Sequence, residues 1–220
     1  MRRHKNFVKT RHIAETARRY GINDVEVAPV GLDLTVIPDD KSSLLLKPEE
    51  YDIPRDKRLL LFVGRIDEYK HPMEALDVIG ELKDEHHLVV IGTGGMDDEF
   101  AKAIEARRLK DSVTWIKRIP NAEIHKFYAA AEYFLNFNPG EIFGMSILEA
   151  MYQGCNVIAV HAPGPDEIIR DGTDGFLVNG VSDMVRIIKE GRRLSPEVVR
   201  NTPLAIRREG RPRSLLVMMP

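Results

Sequence analysis

At 220 residues, 43% of them hydrophobic and 30% charged, the chain has an ordinary globular composition and room for one large domain or one domain plus a smaller unit. Its formal charge of −2 is unevenly spread: residues 1–20 and 186–220 each carry a net +6, and residues 21–185 a net −14, which argues against nucleic-acid binding by the middle. No apolar run is long enough to span a membrane, no apolar stretch follows the basic residues 1–6 as a secretory signal requires, and a single cysteine with seven scattered histidines offers neither a disulfide framework nor a structural zinc spacing.

In chain order, residues 7–20 predict a short basic helix stopped by Gly21, residues 25–30 a strand, and residues 31–56 an irregular connector with Pro38, Pro48 and Pro54. From there the pattern becomes regular. Apolar runs at 58–63, 88–91, 113–116, 133–137, 157–160 and 176–178 predict strands. Helices are predicted after them near 72–83, 97–108, 121–130, 144–153, 165–170 and 182–193. Short apolar strands alternating with helices imply an α/β fold, a parallel sheet with helices on both faces. Ligands of such sheets bind at the carboxyl ends of the strands, near a topological switch point. His86 and His87 are expected at a solvated strand end, and Cys155 as a small core residue. Residues 201–220 lack helical periodicity and are expected to be poorly ordered.

Three segments at strand ends carry chemistry. Gly64 follows the first regular strand, where a missing side chain lets a ligand approach the backbone, and Arg65 and Lys70 stand where a diphosphate needs neutralising. A solvated turn with two surface bases has the same appearance. Gly92-Thr93-Gly94-Gly95 follows the next strand, but Asp97 occupies the final glycine position of G-x-G-x-x-G. That segment therefore predicts a plain strand-to-helix turn and not a dinucleotide fingerprint.

Residues 139–151 are the most informative. Glu141 and Glu149 flank a loop-to-helix junction at which Gly144, Met145 and Ser146 would offer free backbone N–H groups to an anion. Glu149 falls in a helix that is apolar nearly all round, so its carboxylate requires a partner, either ligand hydroxyls or a lysine or arginine. Glu141 is equally placed to complement the helix dipole. The second glycine of a G-x-S-x-G nucleophile elbow is absent after Ser146.

Together, G-R-x(4)-K at 64–70, E-x-F-G-x(4)-E-A-M at 141–151, Val30-Gly31-Leu32-Asp33 and the D-G-x-D-G-x-L-V stretch at 171–178 resemble the retaining glycosyltransferases of family 4 (group 1), over residues 25–180. The resemblance implies a single Rossmann-like domain of GT-B type over residues 54–193. Residues 1–53 would then be a first-domain remnant and interdomain connector, and 194–220 a disordered tail. It implies that Gly64, Arg65 and Lys70 meet a donor diphosphate together with the amides of Gly144, Met145 and Ser146. Glu149 would bind ribose hydroxyls, Glu141 would face the donor sugar, and Ile116 to Ile119 would lie near the base. The chain departs from the family at Lys117, where a glycine is usual, and at Asn136-Phe137-Asn138-Pro139. The implied function is the donor-binding half of a metal-independent, retaining hexosyltransferase of polysaccharide biosynthesis. Its substrate would be a nucleotide-diphosphate sugar, its acceptor a glycan or lipid-linked molecule, and it would use no cofactor. The implied partners are the missing N-terminal domain or a second copy, and the implied location is the cytoplasm or the membrane periphery. The alternative is a catalytically inert nucleotide-sugar or nucleotide-binding module.

Overall fold

Thr10 decides where the first helix starts. Its side chain accepts a hydrogen bond from Ile13 N, an N-cap that begins helix α1 at Arg11–Arg19 and leaves Asn6–Val8 extended as strand β1. The helix expected from residue 7 is corrected accordingly. The computed structural model describes residues 5–28, 31, 32, 37 and 44–201. Within it, β2 (Val25–Val27) pairs in parallel with β1. Val30 and Asp33 of the connector motif, and residues 202–220 of the expected tail, lie outside the described residues.

The main sheet is built from β3 (Arg58–Val63), β4 (His86–Ile91), β5 (Val113–Ile116), β6 (Tyr133–Asn136), β7 (Asn156–Val160) and β8 (Phe176–Val178). All its pairs are parallel and the order is β5-β4-β3-β6-β7-β8, the doubly wound order of dinucleotide-type folds. Side chains alternate between the two faces of each strand. Leu60, Phe62, Leu88 and Val90 pack with Leu76, Ile79, Phe100 and Ile187, from α2 (Pro72–Leu82), α3 (Asp97–Ala106) and α7 (Val181–Lys189). Leu59, Leu61 and Val89 pack on the other face with Phe127, Ile147, Met151 and Ile168, from α4 (Asn121–Ala130), α5 (Met145–Tyr152) and α6 (Pro163–Ile168). Two apolar layers thus enclose the sheet, as the unbroken apolar runs require.

Two expectations fail here. His86 and His87 are both buried, because β4 lies inside the sheet and begins two residues earlier than its apolar run. His87 Nε2 lies 2.8 Å from Thr114 Oγ1, and burial holds its imidazole below its usual pKa. The chain beyond Arg193 is also ordered for several residues. A helix starts at Pro196, Val199 is fully buried, and Arg200 donates to the Gln153 carbonyl at 2.9 Å. Cys155 is buried as expected, and burial pushes its thiol pKa up.

Candidate functional site

The strand order reverses between β3 and β6, which opens a crevice at their carboxyl ends. Two loops line it. In the first, Asp67 Oδ1 accepts from Lys70 N at 3.1 Å and closes a single 3-10 turn. The other oxygen of Asp67 pairs with Arg65 at 3.1 Å. One carboxylate therefore organises both bases. Arg65 is 71% exposed, whereas Lys70 is only 24% exposed.

This loop rests on the one after β4. Ile66 N donates to Thr93 O at 3.3 Å, and Met96 N to Ile66 O at 2.9 Å. A Cβ on Gly92 would stand 1.9 Å from Gly64 O, and one on Gly94 would stand 2.3 Å from Ile66 O. Asp97 accepts from Thr93 Oγ1 at 2.6 Å and from Gly94 N at 2.8 Å, and the Thr93 hydroxyl is the main cause of its lowered pKa. The departure from the dinucleotide fingerprint thus has a structural use: Asp97 caps the turn on which the Arg65–Lys70 loop is laid.

The second loop runs from β6 to α5 and is tied at every step. Asn138 N donates to Asn136 Oδ1 at 3.2 Å, Gly140 N to Asn138 Oδ1 at 2.9 Å, and Asn138 Nδ2 to Glu141 Oε2 at 3.3 Å. Gly164 donates to the Glu141 carbonyl at 2.7 Å, and it packs so closely on Phe143 that a Cβ there would meet its backbone at 2.6 Å. Across the crevice, Lys70 Nζ lies 2.6 Å from Glu141 Oε2. Gly144, at φ +91, turns the chain into α5, whose first intrahelical bond runs from Leu148 N to Gly144 O. The amides of Met145, Ser146 and Ile147 therefore precede the helical ladder, at the positive end of its dipole.

Glu149 meets neither a lysine nor an arginine among the described residues. Its Oε2 accepts from the buried Tyr128 hydroxyl at 3.2 Å, and burial raises the pKa of its carboxyl. Ile116 is half-buried and accepts from Gly92 N at 2.9 Å. Lys117 folds back over the Trp115 ring at 4.8 Å and pairs with Asp97 at 3.5 Å.

The structure therefore brings Lys70, Glu141 and the α5 amides to one crevice and leaves Arg65 at its rim. Sequence reasoning missed Asp67, Asn138 and Tyr128. The first two carry a local signal, an acidic or amide residue at the start of a tight turn. Tyr128 reaches Glu149 across two helices, a long-range contact that no spacing reveals.

Strand order and crevice define a doubly wound α/β domain with its ligand site at the switch point. The family described as glycosyl transferases group 1 matches residues 46–190, and the chain belongs to it. A D-inositol 3-phosphate glycosyltransferase of Kribbella flavida is 34% identical over 169 residues, which are 71% of this chain and 39% of that protein. The α-monoglucosyldiacylglycerol synthase of Streptococcus pneumoniae is 28% identical over 183 residues, 80% of this chain and 41% of that protein. The chain spans less than half the length of these curated relatives. Among solved structures, Anabaena HepE in complex with UDP and glucose superposes with a TM-score of 0.77 at 18% identity, over 93% of this chain and 58% of that one. No helix among the described residues is long and apolar enough to cross a membrane.

Proposed function

We propose that the chain holds the nucleotide-sugar donor of a retaining hexosyl transfer to a glycan or lipid-linked acceptor. The observation that carries this reading is the 2.6 Å Lys70–Glu141 pair, a cation and a carboxylate on loops of neighbouring strands at the switch point, beside the start of α5. In this reading the donor diphosphate draws Lys70 away from Glu141. Arg65 joins from the rim, and the amides of Met145 and Ser146 complete the contacts.

As the bond from the anomeric carbon to the leaving oxygen breaks, negative charge grows on the diphosphate. Donors fixed at that position stabilise the transition state more than the ground state. Lys70, Arg65 and the α5 amides supply the positive charge, so the reading needs no metal ion or other cofactor. Glu141, kept in place by Asn138, faces the sugar, and Glu149, held by Tyr128, takes the ribose hydroxyls. The acceptor oxygen attacks from the face the leaving group vacates, which accounts for retention without a side-chain nucleophile. Its proton passes to the departing phosphate oxygen. The glycosyl-transfer names of the relatives and the UDP bound by HepE support this assignment.

Thermal-shift screening of the purified chain tests it. UDP-glucose and other nucleotide sugars should raise the melting temperature while NAD does not. A shift with NAD alone would overturn the reading.

A further inference from the structure

Helices α4 and α5 cover the same face of the sheet, and Phe127, Ile147 and Met151 are buried where they pack. Two polar contacts cross this otherwise apolar boundary. The Tyr128 hydroxyl donates to Glu149 Oε2 at 3.2 Å, and Gln153 Nε2 lies 3.4 Å from His125 Nδ1. Tyr128 stands one turn after His125, and Glu149 one turn before Gln153, so the contacts are successive rungs between the two helices.

The rungs end differently. His125 and Gln153 are both buried, so theirs is closed inside the protein. Tyr128 is fully buried, with its ring edge-on to Phe134 at 5.6 Å, but Glu149 is only half-buried. Glu149 also lies one turn after Met145 and Ser146, on the helix face that begins at the free amides of α5. Apolar side chains of similar volume often stabilise a fold more than a buried charged contact does. Packing therefore does not account for a tyrosine that meets a glutamate here.

The hydroxyl acts on the carboxylate in two ways. It engages Oε2, which restrains the side chain and leaves Oε1 to accept from a ligand. It also favours the charged form of a carboxyl that burial pushes towards neutrality. Being fully buried itself, Tyr128 works only through Glu149.

We propose that Tyr128 is a positioning residue of the donor site, which holds Glu149 as an oriented acceptor for ribose hydroxyls. The role rests on the donor reading of Glu149 given above.

Calorimetric titration with UDP, and with its dideoxy analogue that lacks both ribose hydroxyls, separates positioning from packing. Tyr128→Phe keeps the ring and removes only the hydroxyl. It should weaken UDP about tenfold, the size of one hydrogen bond to a charged group, and leave the dideoxy analogue unchanged. In a Glu149→Ala background the same substitution should cost no further affinity for UDP, because its route to the ligand is gone. Three results overturn the positioning role while the donor reading stands: Tyr128→Phe binds UDP as the wild type does, it loses UDP and the analogue equally, or its loss persists in Glu149→Ala. The donor reading fails on a different result. If UDP does not bind the wild type, or Glu149→Ala binds UDP unchanged, that reading of Glu149 falls and the role of Tyr128 falls with it.

Discussion

Replacing Lys70 by alanine acts on the diphosphate in two ways. The Lys70–Glu141 pair is 2.6 Å long with side chains only 24% and 14% exposed, so it is largely shielded from solvent. Removing the ammonium takes away a charge-assisted contact worth about 1–3 kcal/mol, which alone raises the diphosphate Kd about 5- to 160-fold. It also leaves Glu141, still held by Asn138 at 3.3 Å, as an uncompensated negative charge beside the phosphates. The second effect has its own signature. Glu141→Gln alone should bind a nucleoside diphosphate more tightly than the wild type, because Lys70 is released and the repulsion removed. The double variant Lys70→Ala/Glu141→Gln should recover part of the loss. Isothermal calorimetry with a nucleoside diphosphate and its parent nucleoside measures all of this, and the nucleoside should be nearly indifferent to every variant. Equal losses for nucleoside and diphosphate in Lys70→Ala would mean a damaged fold and would refute the reasoning.

Glu149→Gln should lower nucleotide-sugar affinity while raising the melting temperature. The folded-state pKa of Glu149 is raised by burial, so its favourable contribution is fully present below the unfolded value near 4.5 and is lost as pH rises through the folded value. The stability advantage of the variant should therefore be largest near neutral pH and vanish in acid; a higher melting temperature with unchanged affinity would make Glu149 purely structural. Gly92→Ala forces a Cβ to within 1.9 Å of Gly64 O at φ +144 and should cost about 2–6 kcal/mol in denaturant unfolding. Gly95→Ala, with open space around it, should stay within about 0.5 kcal/mol, and equal effects at the two positions would contradict the loop packing described above. The 220-residue chain tested alone should transfer no sugar from labelled nucleotide sugars to glycan or lipid acceptors. Aligning an acceptor with the donor supplies about 7–11 kcal/mol of barrier lowering, and the proposed donor contacts account for none of it. Robust transfer would place the acceptor site within these residues.

The sheet was legible because its chemistry is local. Five unbroken apolar positions in β3 require cover on both faces, and β5, β8 and α4 begin and end where periodicity puts them. The buried His86 and His87 were not legible, since polar side chains at a strand's start look solvated until the neighbouring strands are in place. Of the site, the backbone geometry at Gly144 and the grouping of Lys70 with Glu141 follow from where strand-end loops must lie. What the spacing could not show is how each side chain is held. Asp67 links Arg65 to the Lys70 turn, Asn138 grips Glu141, and Tyr128 supplies the partner that Glu149 lacked in the sequence.

Calorimetric titration of the purified chain with UDP-glucose, UDP and uridine, repeated with Lys70→Ala, tests the donor reading most directly. The account predicts that UDP and UDP-glucose bind far more tightly than uridine, and that Lys70→Ala removes most of that difference. Equal affinity for all three ligands, or a wild-type preference for the diphosphate that survives intact in Lys70→Ala, would contradict it.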